Sequence, residues 1–238
     1  MTKQQPRKQF SNNIVLILMK VIAFFIGFVC LLSCNSEEKI QRVLPIVGNF
    51  DLEYKLVDGK EVVDTIYPKI PFFYFRNEDS LLVKSTDMKG KIWIADFFFT
   101  TCSSICPKMT GNMKKLNAAT QDLKDHIQFM SISINPNHDT PSQLKRYKNH
   151  HKITASNWQF FTGKEEETHQ LGIENFMIFA GRDDEAEDGY AHSGAFTLVD
   201  KEGYVRGVYL GTDFKQVEKL ELDLRKLLKY EYDIVGSK

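Results

Sequence analysis

The feature that most constrains the fold is a short apolar run that ends just before two closely spaced cysteines. Residues 92–99 read IWIADFFF, and such an aromatic, nearly continuous run is typical of a strand buried on both faces of a sheet. Cys102, Cys106 and Pro107 follow. Beyond them, apolar residues recur at helical spacing: Met109, Met113, Leu116 and Leu123. The pattern predicts a buried strand followed by a helix that has Pro107 in its first turn and both thiols at its N-terminal end.

Strand and helix patterns alternate along the rest of the chain. Further strands are predicted at residues 72–75, 81–83, 127–134, 158–161, 195–199 and 204–210, and helices at 141–147, 165–171 and 217–228,. Thr140 and Pro141 are expected as the N-cap and first residue of their helix. Together these elements predict one α/β domain over residues 68–232, followed by a tail at 233–238. An N-terminal extension precedes the domain, with a hairpin turn at Asp58 and Gly59.

The N-terminus has the plan of an export signal. Residues 1–13 carry three basic residues and no acid, and an apolar segment, residues 14–32, follows with Lys20 inside it,. The sequence Leu31-Leu32-Ser33-Cys34 then resembles the lipobox of bacterial lipoproteins, which implies cleavage after residue 33 and a lipid on Cys34. The alternative is an uncleaved membrane anchor, which Lys20 disfavours. Both interpretations place the domain outside the cytoplasm of a bacterial cell, on a membrane, with residues 34–67 as lipidated cysteine, linker and extension.

Charge and cysteine content narrow the classes of function. The 31 basic and 31 acidic residues balance, so binding to nucleic acid through bulk charge is not expected. With Cys30 removed in the signal and Cys34 lipidated, the exported chain keeps a single pair, Cys102 and Cys106. A lone close pair in an oxidising compartment indicates redox or metal chemistry, or a structural disulfide.

The position of the two thiols favours the thiolate form. Free amides and the helix dipole at a helix N-terminus lower a thiol pKa below about 8.5. On a regular helix, residues i and i+4 have Cβ atoms about 5 to 6 Å apart, wider than the roughly 3.5 to 4.5 Å of a disulfide. A soft metal such as Cu(I) fits that wider separation, with an imidazole as third ligand. A disulfide stays open if Cys102 lies in the loop before the helix.

Six histidines could supply the imidazole: His126, His138, His150, His151, His169 and His192. His192 stands out because it lies between an acidic stretch at residues 183–188 and a predicted strand, in a segment able to carry a ligand toward the cysteines. The acidic stretch is expected to be an exposed loop, and its carboxylate spacing does not match an EF-hand.

Three segments together resemble the Sco/SenC family: residues 98–107 around the cysteines, residues 131–141, and residues 190–193 around His192. The resemblance covers about residues 68–232. It implies a thioredoxin-like fold with a central mixed sheet flanked by helices. It also implies copper bound by Cys102, Cys106 and His192, as Cu(I) with Cu(II) as a second state, and delivery of copper to the copper A centre of cytochrome c oxidase.

This sequence departs from the family pattern at three positions beside the implied ligands. Ser103 stands where a Pro is common, Ala191 where an Asp is common, and Asn135 where a carboxylate is usual. Loss of the acid next to His192 removes a group that could orient the ligand, which would alter copper affinity or redox behaviour.

Two functions are expected from this combination. The first is a membrane-tethered metallochaperone that passes copper to an oxidase subunit or another copper-accepting protein, with an exported thiol reductant keeping the pair reduced. The alternative is an enzyme, a thiol-disulfide reductase in which Cys102 attacks and Cys106 resolves. A peroxidase is disfavoured, because Ala95 and Phe99 stand where peroxiredoxins place a Pro and a Thr.

Overall fold

The structure, a computed structural model, describes residues 42–183, 185 and 189–237. The predicted signal sequence, its alternative as a membrane anchor and Cys34 all lie outside these residues. Among the helices that the structure describes, none is both long enough and apolar enough to span a bilayer.

A mixed sheet of seven strands forms the centre of the domain. The described part of the chain has eleven strands, of which β3–β7, β10 and β11 form this sheet: β1 (Asp51–Val57), β2 (Lys60–Ile66), β3 (Tyr74–Asn77), β4 (Leu82–Lys84), β5 (Ile92–Phe98), β6 (Ile127–Ser133), β7 (Trp158–Thr162), β8 (Ala180–Arg182), β9 (Tyr190–His192), β10 (Ala195–Val199) and β11 (Val205–Leu210). The helices are α1 (Cys106–Ala119), α2 (Pro141–His150), α3 (Glu165–Glu174) and α4 (Phe214–Tyr232), with 3-10 turns at Ser85–Met88 and Gln121–His126.

Strand order in the central sheet is β11-β10-β5-β6-β7-β3-β4. β5, β6 and β7 run parallel, and the other neighbours pair antiparallel. Every residue of β5 and β6 is buried, which confirms the two strands predicted to be covered on both faces. The carboxyl ends of β5 and β6 lie at one edge of the sheet, and the loop carrying Cys102 leaves from that edge.

The predicted helix starts are confirmed. Pro107 lies in the first turn of α1, where its missing amide hydrogen costs no helical hydrogen bond. Thr140 caps α2, and its side chain accepts a hydrogen bond from the backbone amide of Gln143 at 3.4 Å. Helix α4 packs against α1 and β11, while α2 packs against β7. The sheet is therefore flanked by helices, as expected for an α/β domain.

The N-terminal extension contains the predicted hairpin of β1 and β2. Asp58 and Gly59 at its tip both have positive φ, 51° and 74°, as a two-residue hairpin turn of type I′ requires. All residues of both strands are exposed. A second hairpin, β8 with β9, was not predicted from the sequence, and it carries His192.

The chain before β1 is fastened to the sheet by the buried guanidinium of Arg206. Its Nη1 donates to Asp200 at 2.9 Å, and both terminal nitrogens donate to Glu231. Nη2 and Nε also donate to the carbonyls of Leu44 and Pro45. Arg206 lies near the start of β11. Its neighbour in the chain pairs with Val199 of β10, and Val199 in turn pairs near the start of β5. The cysteines follow the other end of β5. The N-terminal segment thus joins the domain at the end opposite the cysteines.

Candidate metal centre

The structure brings the three sequence-predicted ligands together. Cys102 lies in the loop after β5, Cys106 is the first residue of α1, and His192 is the last residue of β9. One donor atom from each of the three lies within 4.8 Å of the others, and Cys106 Sγ is 3.3 Å from His192 Nε2. Both thiols are buried and His192 is half-buried. Among the described residues, no other group of three or more His, Cys, Asp or Glu side chains could hold a metal ion.

The other histidines have different surroundings. His138 Nδ1 lies 2.9 Å from a carboxylate oxygen of Asp139, and His169 Nε2 lies 2.7 Å from the carbonyl of Ile134. His150 and His151 pack against each other. Of the six candidates, His192 is the one whose ring nitrogen lies beside the two cysteine sulfurs.

A buried carboxylate that sequence reasoning missed anchors the loop leading to Cys102. Asp139 is fully buried and accepts hydrogen bonds from the Thr100 amide at 3.0 Å, the Thr100 hydroxyl at 2.5 Å and the Ser133 hydroxyl at 2.6 Å. Asp139 lies within residues 131–141, one of the segments that carry the family resemblance, and this position could have identified it from the sequence. The contacts fix the point at which the chain turns from β5 toward the cysteines.

The two thiols differ strongly in their tendency to ionise. The pKa of Cys102 falls to about 3 because its thiolate accepts hydrogen bonds, first from Cys106 and then from His192, against the opposing effect of burial. The Cys106 amide also donates to Cys102 Sγ at 3.4 Å. The pKa of Cys106 is raised, since its thiol is hydrogen-bonded to the Cys102 sulfur and is buried. The prediction that the helix terminus lowers both thiol pKa values is therefore wrong for Cys106.

The expected separation of the two cysteines also needs correction. The predicted spacing of 5 to 6 Å applies to residues i and i+4 of one helix, but α1 begins at Cys106 and Cys102 precedes it. The helical argument against a disulfide does not hold for this loop. Both cysteines are free thiols in the structure.

A second buried carboxylate, Asp96 on β5, lies near enough to the site to interact electrostatically with His192 and Cys106. Asp96 accepts a hydrogen bond from the Ser131 hydroxyl at 2.6 Å, and that hydroxyl accepts one from the indole of Trp158 at 3.0 Å. Burial raises the pKa of Asp96 to about 7. The carboxyl group therefore changes its protonation state near neutral pH.

His192 is held by its backbone and by ring packing. Its ring meets the ring of Phe99 edge to face at 5.9 Å. Its Nδ1 is buried and has no hydrogen-bond partner, and the preceding residue, Ala191, has no polar side chain to offer one. Metal-binding histidines usually donate their second ring N–H to a carboxylate or carbonyl. Here the placement of the imidazole depends on the hairpin that carries it.

Comparison with known proteins identifies the family. The model of the SCO1/SenC family matches residues 67–229. The SCO1 protein homolog of Bacillus subtilis is 30% identical over 168 residues, which are 70% of this chain and 86% of that protein.

Solved structures agree with this result. The SCO1/SenC family lipoprotein of Bacillus anthracis is 34% identical with a TM-score of 0.61, covering 67% of this chain and 94% of that one. BsSco, described as a member of the Sco family of cytochrome c oxidase assembly proteins, is 30% identical with a TM-score of 0.57, covering 65% and 92%. The predicted thioredoxin-like fold is thereby confirmed, and the chain belongs to the SCO1/SenC family.

Proposed function

We propose that this protein is a membrane-tethered copper chaperone that binds one Cu(I) through Cys102, Cys106 and His192. It delivers the ion to a respiratory oxidase, at the copper A centre of cytochrome c oxidase, during assembly. The observation that carries the proposal is the convergence of three donor atoms within 4.8 Å at one edge of the sheet. A relative with this fold is a member of a family of cytochrome c oxidase assembly proteins, which supports the choice of acceptor.

The chemistry of the donors selects the ion. Thiolate sulfur is a soft ligand that prefers Cu(I), and two sulfurs with one imidazole form a trigonal site. Bonds of about 2.0 to 2.3 Å, taking the zinc values as a guide, place the donors of a trigonal site about 3.5 to 4.0 Å apart. The three donor atoms, which lie within 4.8 Å of one another, therefore need to close by about 1 Å at most,. Cys102 is already a thiolate, whereas Cys106 must lose its proton when the metal binds,.

A lipid on Cys34 would hold the domain at a bacterial membrane, outside the cytoplasm on the periplasmic side. The N-terminal segment enters the domain at the end opposite the site, through the carbonyl contacts of Arg206 with Leu44 and Pro45. This attachment leaves the edge with the cysteines free to meet an acceptor. An exported thiol reductant would be needed to keep the pair reduced, because copper loads only onto free thiols.

Anaerobic titration of the reduced chain in detergent with Cu(I), against a competing chelator, tests the proposal. The wild type should bind one copper tightly. Cys102→Ser and Cys106→Ser should each bind copper more than about 100-fold more weakly than the wild type. Replacing a group that only hydrogen-bonds to a metal ligand costs up to about 100-fold in affinity, and these variants remove the ligand itself. His192→Ala should bind measurably more weakly than the wild type. Weak binding that is the same in all four proteins would reject the chaperone.

A second function, thiol-disulfide reduction, is favoured by the contrast between the two thiols. A reductase needs one ionised attacking cysteine and one that resolves the mixed disulfide. The lowered pKa of Cys102 and the raised pKa of Cys106 fit these two roles. Cys102 is also the more exposed, at 8% against 1%.

Alkylation of the reduced protein with iodoacetamide at pH 6 tests this contrast. Cys102 should react and Cys106 should not, as read by mass spectrometry of the peptides. Reduction of a protein disulfide at an undiminished rate by His192→Ala, together with weak copper binding by the wild type, would establish the reductase instead of the chaperone. Equal alkylation of both thiols would contradict the assignment of Cys102 as the attacking thiol and Cys106 as the resolving thiol.

A further inference from the structure

We propose that Glu165, Arg182 and Tyr190 form a latch that holds the hairpin β8–β9 and so keeps the His192 imidazole at the two cysteines. They act as positioning residues and do not contact the metal. The inference rests on the proposed copper site, and it adds a device that sets how firmly the third ligand is held.

The hairpin has little to stabilise it by itself. Its strands pair at three positions, Ala180 with His192, Gly181 with Ala191, and Arg182 with Tyr190, and one further backbone hydrogen bond lies on each side of them, from Ser193 to Phe179 and from Asp183 to Gly189. A two-stranded hairpin of this length is marginal in water. Side chains of β9 are only partly buried. Contacts made with the rest of the domain must therefore fix its position.

The strongest of these contacts converge on Glu165, the first residue of α3. Arg182 Nε donates to Glu165 Oε1 at 2.5 Å, and Nη2 donates to Oε2 at 3.2 Å. Asn137 Nδ2 donates to the same Oε2 at 2.8 Å. Arg182 thus makes a two-pronged ion pair, the geometry in which guanidinium and carboxylate bind most specifically.

Tyr190 ties the other strand of the hairpin to the same carboxylate. Its hydroxyl lies 3.3 Å from Glu165 Oε1 and 3.3 Å from Asn135 Oδ1. The Arg182 guanidinium lies 5.8 Å from the centre of the Tyr190 ring. Because Arg182 and Tyr190 face each other across the hairpin, one carboxylate fixes both strands.

The latch reaches the ligand through a short path. Tyr190 is two residues before His192, and the rings of both pack against Phe99, at 5.5 and 5.9 Å between centroids. His192 Nδ1 has no hydrogen-bond partner, so no polar contact of the imidazole's second nitrogen can substitute for this support. Opening the latch frees His192 while leaving the cysteines, which are carried by β5 and α1, in place. Such a motion would convert a three-ligand site into a two-thiolate site that releases copper more readily.

The test compares Glu165→Gln with Glu167→Gln in the full chain in detergent. Glu167 is in the same first turn of α3 and pairs with Lys164 at 2.6 Å, away from the hairpin. Both variants remove one charge near the helix N-terminus, so a general effect of that charge on copper affinity would be the same in both. Glu165→Gln should weaken Cu(I) affinity about fivefold, the scale of a partly exposed ion pair, and Glu167→Gln should leave it unchanged.

Combination with His192→Ala separates positioning from general structure. If the latch acts through the imidazole, Glu165→Gln should have no further effect on copper affinity when His192 is already Ala. An equal fivefold loss in that background, or no loss in the wild-type background, would overturn the inference.

Hydrogen exchange of the β8–β9 amides, measured without copper, gives a readout that does not depend on the metal. Faster exchange in Glu165→Gln and in Arg182→Gln, but not in Glu167→Gln, is expected. Unchanged exchange would overturn the latch even if copper binds as proposed. Failure of the wild type to bind copper would instead reject the chaperone.

Discussion

The two halves of the candidate site are built in different ways. The cysteine half follows from β5, whose residues are all buried, and from α1, which packs against α4. Its connecting loop is pinned by Asp139, a carboxylate with no exposed surface. The histidine half is a hairpin of three residue pairs, partly exposed and fastened by an ion pair in which Arg182 is 65% exposed.

This difference assigns the two halves different roles. The thiolate half is placed by the same burial that stabilises the fold, so its geometry persists as long as the domain is folded. The imidazole half is placed by a few polar contacts whose loss costs the fold little. A carrier that must hold an ion and then release it benefits from one fixed pair of ligands and one removable ligand.

Removal of the Asp139 carboxylate, on the cysteine half, should lower the free energy of unfolding the most. Asp139→Ala leaves the buried Ser133 hydroxyl and the partly buried Thr100 amide without their acceptor, at an expected cost of about 3 kcal/mol in the free energy of unfolding. Urea denaturation followed by circular dichroism measures it. Glu165→Ala, the matching truncation on the histidine half, should cost less than about 1 kcal/mol. Equal losses in the two variants would contradict the contrast between the halves.

Asp96, on the cysteine half, should make the stability of the folded state depend on pH. Its folded pKa of about 7 lies above the usual value of 3.8, so the folded state holds a proton that the unfolded state has lost. Stability should therefore fall as pH rises from about 4 to 7 and level off above that range.

Asp96→Asn should remove this dependence. At pH 8 the variant should be more stable than the wild type by about 2 kcal/mol, roughly half of what the pKa difference allows. Thermal unfolding of both proteins between pH 4 and 8 measures the effect. Parallel pH profiles for the two proteins would show that Asp96 is ionised throughout.

Gly194 joins the two halves, and its substitution should lower stability less than the loss of the Asp139 carboxylate does. It has a φ of +66°, and an added Cβ would lie 3.1 Å from Ile105 Cδ1. Gly194→Ala should cost about 1 kcal/mol and weaken copper binding as well, because the strain falls two residues after His192. Unfolding and Cu(I) competition on the same samples test both effects. Lost stability with unchanged copper affinity would separate Gly194 from the site.

Sequence patterns predicted the central elements because their signals are local. The apolar run at residues 92–99, Pro107 at the start of α1 and Thr140 at the cap of α2 each identify an element without reference to the rest of the chain. The hairpin at Asp58 and Gly59 was predicted for the same reason. Each of these predictions is confirmed by the structure.

The parts that could not be predicted depend on contacts between distant residues. Strands β8 and β9 are three residues each, too short for an alternating pattern, and the acidic stretch between them indicated only a loop. Of that stretch, Asp184 and residues 186–188 lie outside the described part of the chain. The ion pair of Arg182 with Glu165 and the divergent pKa values of the two thiols arise from packing, which local spacing does not reveal.

X-ray absorption spectroscopy of the copper-loaded protein reveals directly which atoms bind the ion. If Cys102, Cys106 and His192 bind the ion, the wild type should show two sulfur ligands and one nitrogen around a single Cu(I). In His192→Ala the nitrogen ligand should be lost and both sulfur ligands should remain, because the hairpin does not hold the cysteines in place. A wild-type spectrum without a nitrogen ligand would exclude His192 from the site, and loss of sulfur ligands in His192→Ala would show that the cysteines depend on the hairpin.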